Sequence, residues 1–232
     1  MEVGTKMSEK YGNIPDKFTK AWWEYYWEYY RWYVIVPLVI IIAVGLTIYA
    51  KVSATKYDTT LTYAADNFII EEKEEELTNT LSKLCEDVDG NGEKNLFFSQ
   101  IWIDNNPDQA DIEYARVMAT KLQLSFGEDE KYIYIMDKEA AELYVGEIEE
   151  ECPYAPLETW IKNIPEDAQL FSAHGKNYGI CLSGNKFLEG YGIDLSDHYL
   201  LIRYYPRKDQ LKKQLKGYEG AISLANKILA ER

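Results

Sequence analysis

A short stretch rich in Asp, Asn and Gly has the residue types of a calcium-binding loop. It runs from Asp87 to Asn95 with the sequence DVDGNGEKN. Oxygen ligands at positions one, three and five, followed by Gly at position six for a sharp turn, suit a hard cation. Position twelve is Phe98 instead of the usual bidentate Glu, so any site is weak, and a plain turn is the competing interpretation. The candidate ligands are Asp87, Asp89, Asn91, Glu93 and Asn95. No other cofactor is expected.

A second group of Asp and Asn residues follows the predicted β-strands. Ligands of open α/β sheets bind beyond the carboxyl ends of the strands, and parallel strands bring those ends to one edge. The sequence therefore predicts a binding rim there. Helix N-caps would explain the same residue types without any ligand. The candidate ligand-binding residues are Asp66, Asp104, Asn105 and Asp137.

No recognisable catalytic motif is present. The chain has two histidines and three cysteines, and neither a metal-ligand spacing nor a nucleophile motif occurs. Cys181 or Ser183 would need a histidine base that no known spacing supplies. The sequence therefore predicts a non-enzyme, with a membrane-anchored hydrolase as the less favoured alternative. The cysteines are odd in number, and one disulfide or three buried thiols would both fit. They are Cys85, Cys152 and Cys181.

These candidate sites must be positioned by a domain that follows an apolar segment. Residues 34–50 carry no charge, and residues 22–33 before them are dense in Trp and Tyr. A span of about 30 Å of hydrocarbon needs roughly 20 apolar residues, and Trp and Tyr collect at its boundaries. We therefore expect a transmembrane helix over 32–50. Cleavage as a signal peptide near Ala54 is the competing interpretation.

Lys and Arg counts on the two sides of the span predict its orientation. The arm before the span carries five Lys/Arg, whereas the near flank after it carries Lys51 and Lys56. Positive residues mark the cytoplasmic side. The predicted organisation is a cytoplasmic aromatic-rich arm (1–31), a transmembrane helix (32–50), a linker (51–56) and an extracytoplasmic domain (57–232). The predicted location is the cell membrane, with a single pass and the C-terminal domain outside.

The outer domain carries all of the charge imbalance. The arm balances its five positive residues with five acidic ones, so the net charge of −14 lies in the rest of the chain. Such a surface repels nucleic acid and favours cations or basic partners. The expected partners are therefore membrane lipid around the span and a small solute, or a cationic or protein partner, outside the cell. Nucleic acid is not expected.

The order of elements predicts an α/β fold. Strand patterns at 57–64, 96–103 and 131–136 alternate with helical patterns at 71–84, 110–124 and 138–145. This alternation indicates βαβ units with helices on both faces of a mixed, mainly parallel sheet. Later patterns predict paired strands at 171–173 and 178–182, a last strand at 198–205, and a closing helix at 208–231. That helix is expected to break or loosen at Gly217 and Gly220.

Short motifs in this domain resemble extracellular solute-binding proteins of the type 2 periplasmic-binding-protein-like class. The strand ending in Asp137 and the later Pro156-Leu157 are similar to a segment of that family. Residues 178–182 (YGICL) resemble its YGIPL strand, with Cys181 in place of proline. The closing AISLANKILAE also resembles its terminal helices. The whole arrangement is similar to single-span, membrane-anchored proteins of Gram-positive bacteria. The resemblance implies one lobe of a family that binds ligands between two.

We therefore expect a membrane-anchored, non-enzymatic protein that binds or senses a ligand outside the cell or serves as a cell-surface scaffold. A structural adaptor of a membrane protein complex is the main alternative. It would use the aromatic arm and the span to assemble with other membrane helices.

Overall fold

A computed structural model describes residues 15–53, 56–104, 107–108, 111–128, 131–162, 164–165, 167–204 and 212–231. The chain forms two compact units, Met1–Thr55 and Lys56–Arg232. The predicted site residue Asn105 lies outside the described residues, as do Arg207 and Lys208 near the end of the chain.

The first unit contains one long helix, α1 (Lys20–Ser53). At 1.5 Å per residue its 34 residues extend for about 51 Å. The aromatic segment before residue 32 belongs to this helix, and Pro37 lies inside it without ending it. Trp22, Tyr26 and Tyr30 stack at successive turns, with neighbouring ring centroids 5.3 Å apart. The helix is apolar enough to cross a membrane by length and composition.

The second unit is an α/β domain whose elements follow the predicted order closely. Its strands are β1 (Thr59–Ala65), β2 (Leu96–Trp102), β3 (Lys131–Asp137), β4 (Leu170–Ala173), β5 (Lys176–Cys181) and β6 (His198–Ile202). Its α-helices are α2 (Glu71–Leu84), α3 (Ile112–Ser125), α4 (Lys138–Leu143), α5 (Lys186–Glu189) and α6 (Lys212–Ala230). Two short 3-10 helices, Glu149–Glu151 and Leu157–Thr159, complete the list. The sequence did not predict α5 or the 3-10 helix Glu149–Glu151.

The six strands form one mixed sheet in the order β2-β1-β3-β6-β5-β4. The half made by β2, β1 and β3 is parallel, as expected from the βαβ pattern. The pairs β3–β6, β6–β5 and β5–β4 are antiparallel. The expectation of a mainly parallel sheet was therefore wrong for this half, because β6 enters beside β3 in the opposite direction and the β4–β5 hairpin continues from it.

Helices cover both faces of the sheet, as predicted. Successive side chains of a strand point to opposite faces, so each strand contributes to two cores. On β1, Leu61 and Tyr63 join the core beneath α2 and α6, whereas Ala64 joins the core beneath α3 and α4. The sheet is therefore buried on both sides, and polar groups that gather at the ends of its strands are the natural place to look for a site.

The closing helix α6 differs from the sequence expectation. It continues through Gly217 and Gly220 without a break. A Cβ atom on Gly220 would lie 3.0 Å from Cγ2 of Val88. The absence of a side chain at Gly220 thus allows the helix to approach the 87–95 loop closely, which explains the glycine without a helix break.

Candidate functional site

A pocket of about 370 Å³ lies at the carboxyl ends of β1 and β3. These parallel neighbours end side by side, and β6 begins at the same edge because it runs the other way, with His198 paired directly opposite Asp137. Three strands therefore deliver polar residues to one place. The pocket is lined by Asp66, Asn67, Asp137, Glu139, Asp194, Ser196, Asp197 and His198.

Asp137 is held by backbone amides on both of its carboxylate oxygens. It caps α4 by accepting a hydrogen bond from the Ala140 N–H at 2.7 Å. Its other oxygen accepts from the Asp66 N–H at 3.1 Å. Burial raises the pKa of Asp137, and these two hydrogen bonds and His198 oppose the rise. A positive charge entering the pocket would favour the ionised form of this carboxyl.

His198 and Tyr63 form the buried floor beside Asp137. The Tyr63 hydroxyl donates to Oδ1 of Asn67, so its oxygen is left to accept from Nε2 of His198, 3.1 Å away. A neutral His198 that donates through Nε2 carries its lone pair on Nδ1. Burial lowers the pKa of His198 and so favours the neutral form, although the surrounding carboxylates pull in the opposite direction.

The Nδ1 atom of His198 has no hydrogen-bond partner among the described residues. The side chain lines the pocket and is only 5% exposed. A buried acceptor without a donor costs free energy, of the order of 1–3 kcal/mol. A ligand that brings an N–H group would satisfy it.

The remaining carboxylates surround this floor without matching cations. Asp194 accepts from the Ser196 N–H at 3.0 Å, and that hydrogen bond lowers its pKa. Within the part of the chain that the structure describes, no ion pair or side-chain hydrogen bond engages the carboxylates of Asp66, Glu139 or Asp197, and no Lys or Arg lines the pocket. The pocket therefore holds five acidic residues and a strongly negative potential.

These carboxylates are too far apart to converge on one bare metal ion. Among the described residues, three metal-binding atoms lie within 4.8 Å of one another in a single group, Asp58, Asp87 and Asp89. That group is not in the pocket. Carboxylates spread around a pocket of this size are better suited to an organic cation with several N–H groups than to a coordinated ion.

The predicted rim is brought together in part. Asp66 and Asp137 meet at the pocket, as the parallel strand ends predicted. Asp104 ends the next strand but does not line the pocket, and Asn105 lies outside the described residues. Sequence reasoning missed His198 and the preceding Asp194, Ser196 and Asp197, because they enter the site on or just before the antiparallel strand β6, whose place in the sheet is set by tertiary contacts. The only available hint was a His at the start of a predicted strand.

The Asp87–Asn95 loop folds as a turn that uses its own side chains. Asp87 accepts from the N–H groups of Gly90 and Gly92 at 2.6 and 2.8 Å, and these bonds lower its pKa. Asp89 and Asn91 each accept from the N–H two residues further on. The glycines at 90 and 92 have φ of 75° and 86°, in the left-handed region. The loop therefore shows the hydrogen bonding of the competing turn interpretation.

The candidate calcium ligands are only partly gathered. Asp87 and Asp89 converge with Asp58, which the sequence did not identify. Glu93 and Asn95 bond to each other at 3.3 Å instead, and Asn91 is engaged with the Glu93 amide. Asp58 is buried and accepts from the N–H groups of Val88 and Asn95, so it ties the loop to the start of β1. A weak calcium site stays a prediction of the sequence alone.

The cysteines are free, buried thiols. Burial raises the pKa of Cys85 to about 12 and raises that of Cys152, which suppresses the reactive thiolate. The Cys181 Sγ lies 3.8 Å from the Ser196 carbonyl oxygen and 3.4 Å from the Ser183 N–H. Among the hydrogen bonds of the described residues, neither Cys181 nor Ser183 contacts a histidine. The thiol–imidazole pair that the hydrolase alternative requires is not formed there.

Comparisons with protein-family models, with curated proteins and with solved structures find no match for this chain.

Proposed function

We propose that this protein is anchored in the cell membrane by α1 and binds a small organic cation in the strand-end pocket of an extracytoplasmic domain. The ligand class is a molecule with ammonium or guanidinium groups. In this proposal the N-terminal arm is cytoplasmic, and the domain is a non-enzymatic sensor or scaffold similar to one lobe of a solute-binding protein. The composition of α1 and the charge of its arm support the membrane part.

The observation that carries the proposal is the pairing of excess negative charge with an unsatisfied acceptor. Five acidic side chains line the pocket without a Lys or Arg among its described lining residues. Beside them, Nδ1 of His198 lacks a donor. A ligand with a positive charge and N–H groups would neutralise the carboxylates and donate a hydrogen bond to Nδ1, whereas an anion or an apolar molecule would do neither.

The expected free-energy contributions of the pocket residues favour selective binding over tight binding. Exposed carboxylates contribute roughly 0–1 kcal/mol each to an ion pair, so Asp66 and Asp197 individually add little. Asp137 and His198 are buried and contribute more, because fewer waters compete for them. We expect binding that depends on several small terms and weakens as salt is added.

Calorimetry on the full chain in detergent micelles tests the proposal. The probe is 1,4-diaminobutane, with butan-1-ol and succinate as uncharged and anionic controls of similar length. We expect saturable binding of the diamine alone, and a loss of about two- to fivefold in affinity for Asp66→Asn and for Asp197→Asn. The matched control is Glu93→Gln, an exposed acid outside the pocket. Absence of saturable heat, or an equal loss in the control, would contradict the proposal.

A structural adaptor is the second candidate, supported by one edge of the sheet. Strand β2 is an edge strand, and beside it Phe68, Trp102 and Tyr114 stack in a row, with Phe68 and Tyr114 exposed. Unpaired strand edges with neighbouring aromatic side chains are surfaces to which other chains add. If the protein is an adaptor, its partner binds this surface and the acidic pocket does not bind cations. The calorimetry therefore separates the two functions.

A further inference from the structure

A second pocket, of about 420 Å³, differs from the acidic pocket in its chemistry. It is formed where the chain after the 3-10 helix Leu157–Thr159 passes the C-terminal half of α6. None of its lining residues belongs to the acidic pocket. The residues that carry the argument are Trp160, Lys162, Ile180, Ile222, Asn226 and Leu229.

The body of this pocket is apolar. Ile180 on β5 and the Trp160 indole are almost completely buried, at 1% and 4% exposed. Ile222 and Leu229, two turns apart on α6, are partly buried against the same core. A concave surface of this size with aliphatic and aromatic walls binds the apolar body of a small molecule, because such a ligand removes it from water.

One hydrogen-bond donor in the wall is unsatisfied. The Nε1–H of Trp160 is buried and has no acceptor among the described residues. An indole nitrogen can only donate, so the group requires an acceptor. The neighbouring Asn226 does not supply one: its Nδ2 donates to the carbonyl oxygens of Trp160 and Ile222, at 3.0 and 2.8 Å, and its Oδ1 makes no hydrogen bond to the indole.

A positive charge stands at the same pocket. Lys162 lines it and is exposed, and no ion pair engages it within the described part of the chain. Its ammonium group is therefore available to an anionic ligand. A buried donor and an unpaired ammonium group beside apolar walls together complement a carboxylate on an apolar body.

We propose that this pocket binds a small monocarboxylic acid with an aliphatic or aromatic body. The body lies against Ile180, Ile222 and Leu229. The carboxylate accepts a hydrogen bond from Trp160 Nε1–H and pairs with Lys162. Five acidic residues would repel the same ligand from the strand-end pocket, so the domain has two sites of opposite preference, and the second does not depend on the first.

Fluorine NMR on the full chain in detergent micelles, labelled with 5-fluorotryptophan, tests this inference. The probe is hexanoate, and hexan-1-ol is the uncharged molecule of matched length. The Trp160 resonance is assigned by its absence in Trp160→Phe. We expect hexanoate to shift it saturably at concentrations up to about 10 mM, the range of a weak single-site ligand, and hexan-1-ol to bind more weakly.

Charge at Lys162 is tested by a conservative pair of variants. Lys162→Gln should weaken hexanoate binding about two- to fivefold and leave hexan-1-ol binding unchanged, because one exposed ion pair contributes little more than that. Lys186→Gln, an exposed lysine outside the pocket, should change neither. An unmoved Trp160 resonance, or equal binding of acid and alcohol that Lys162→Gln does not alter, would overturn the inference. Trp160→Phe serves only to assign the resonance, and affinities are compared between the wild type and two surface variants that keep Trp160.

Discussion

At the scale of single residues, whether a polar side chain joins the site depends on which strand lies beside its own in the sheet and in which direction that strand runs. Asp66 and Asp137 could be predicted together, because the ends of parallel strands meet wherever a βαβ unit forms. His198 could not, since its place opposite Asp137 depends on β6 running antiparallel beside β3. Asp58 was missed because its role also depends on a tertiary contact. Its carboxylate accepts a hydrogen bond from a loop about thirty residues away in sequence.

The buried His198 predicts a pH dependence of stability. Burial lowers its pKa in the folded state, so the unfolded chain binds this proton at a higher pH. The free energy of unfolding should therefore fall as the pH drops through about 6.5, the ordinary pKa of histidine, and this loss is absent in His198→Gln. The raised pKa of Asp137 acts in the opposite direction at lower pH and remains in both proteins.

Urea unfolding of the wild type, His198→Gln and His174→Asn measures this effect between about pH 7.5 and pH 5.5, one unit on either side of the ordinary histidine pKa. His174 is the other histidine of the chain and is exposed in the β4–β5 turn. The His174→Asn variant should keep the wild-type dependence of the free energy of unfolding on pH. Parallel curves for wild type and His198→Gln would show that His198 is protonated equally in both states.

At the scale of elements, the sequence identified most strands and helices but not their neighbours. Helix α2 occupies the predicted 71–84, and the strands that begin βαβ units fall within one or two residues of their predictions, because local periodicity decides them. The order β3-β6-β5-β4 depends on contacts between distant segments, which periodicity does not contain. Helix α5 has four residues, too few to show a helical period.

The contact between β5 and β6 predicts a sharp effect at Gly179. A Cβ atom there would lie 3.0 Å from the Leu200 carbonyl oxygen and 2.8 Å from Cδ2 of Leu201. A backbone oxygen in a sheet cannot move aside, so Gly179→Ala should destabilise the domain by about 1–3 kcal/mol through overpacking. Gly175→Ala is the comparison, because its Cβ would meet nothing and only its φ of +75° opposes the change.

Urea unfolding of both variants measures the two costs. We expect about 1 kcal/mol for Gly175→Ala, the cost of a left-handed residue with a side chain, and a larger loss for Gly179→Ala. A smaller loss at Gly179 than at Gly175 would mean that β5 and β6 separate easily, and the acidic pocket at the start of β6 would then be poorly held.

At the scale of the whole molecule, charge and hydropathy divide the chain into an apolar N-terminal part and an acidic C-terminal part. The apolar run and its aromatic flank lie on α1, whose side chains from Val34 to Tyr49 are almost all exposed, while the charge excess lies in Lys56–Arg232. The length and composition of this helix are those of a bilayer-spanning segment, which is the basis of the proposed anchor. Composition was sufficient to predict this division, because it depends on totals along the chain and not on tertiary contacts.

The proposed topology predicts which introduced thiols a membrane-impermeant maleimide can reach on intact cells. The three native cysteines are buried, so the background labelling of the folded chain should be low. Glu93→Cys, in the exposed loop after α2, should react on intact cells, because the domain is outside. Lys17→Cys, exposed just before α1, should react only after the cells are lysed, because the four Lys/Arg that remain in the arm still favour the cytoplasmic side. The reverse pattern would place the acidic pocket in the cytoplasm, and equal labelling of both before lysis would remove the membrane barrier between them.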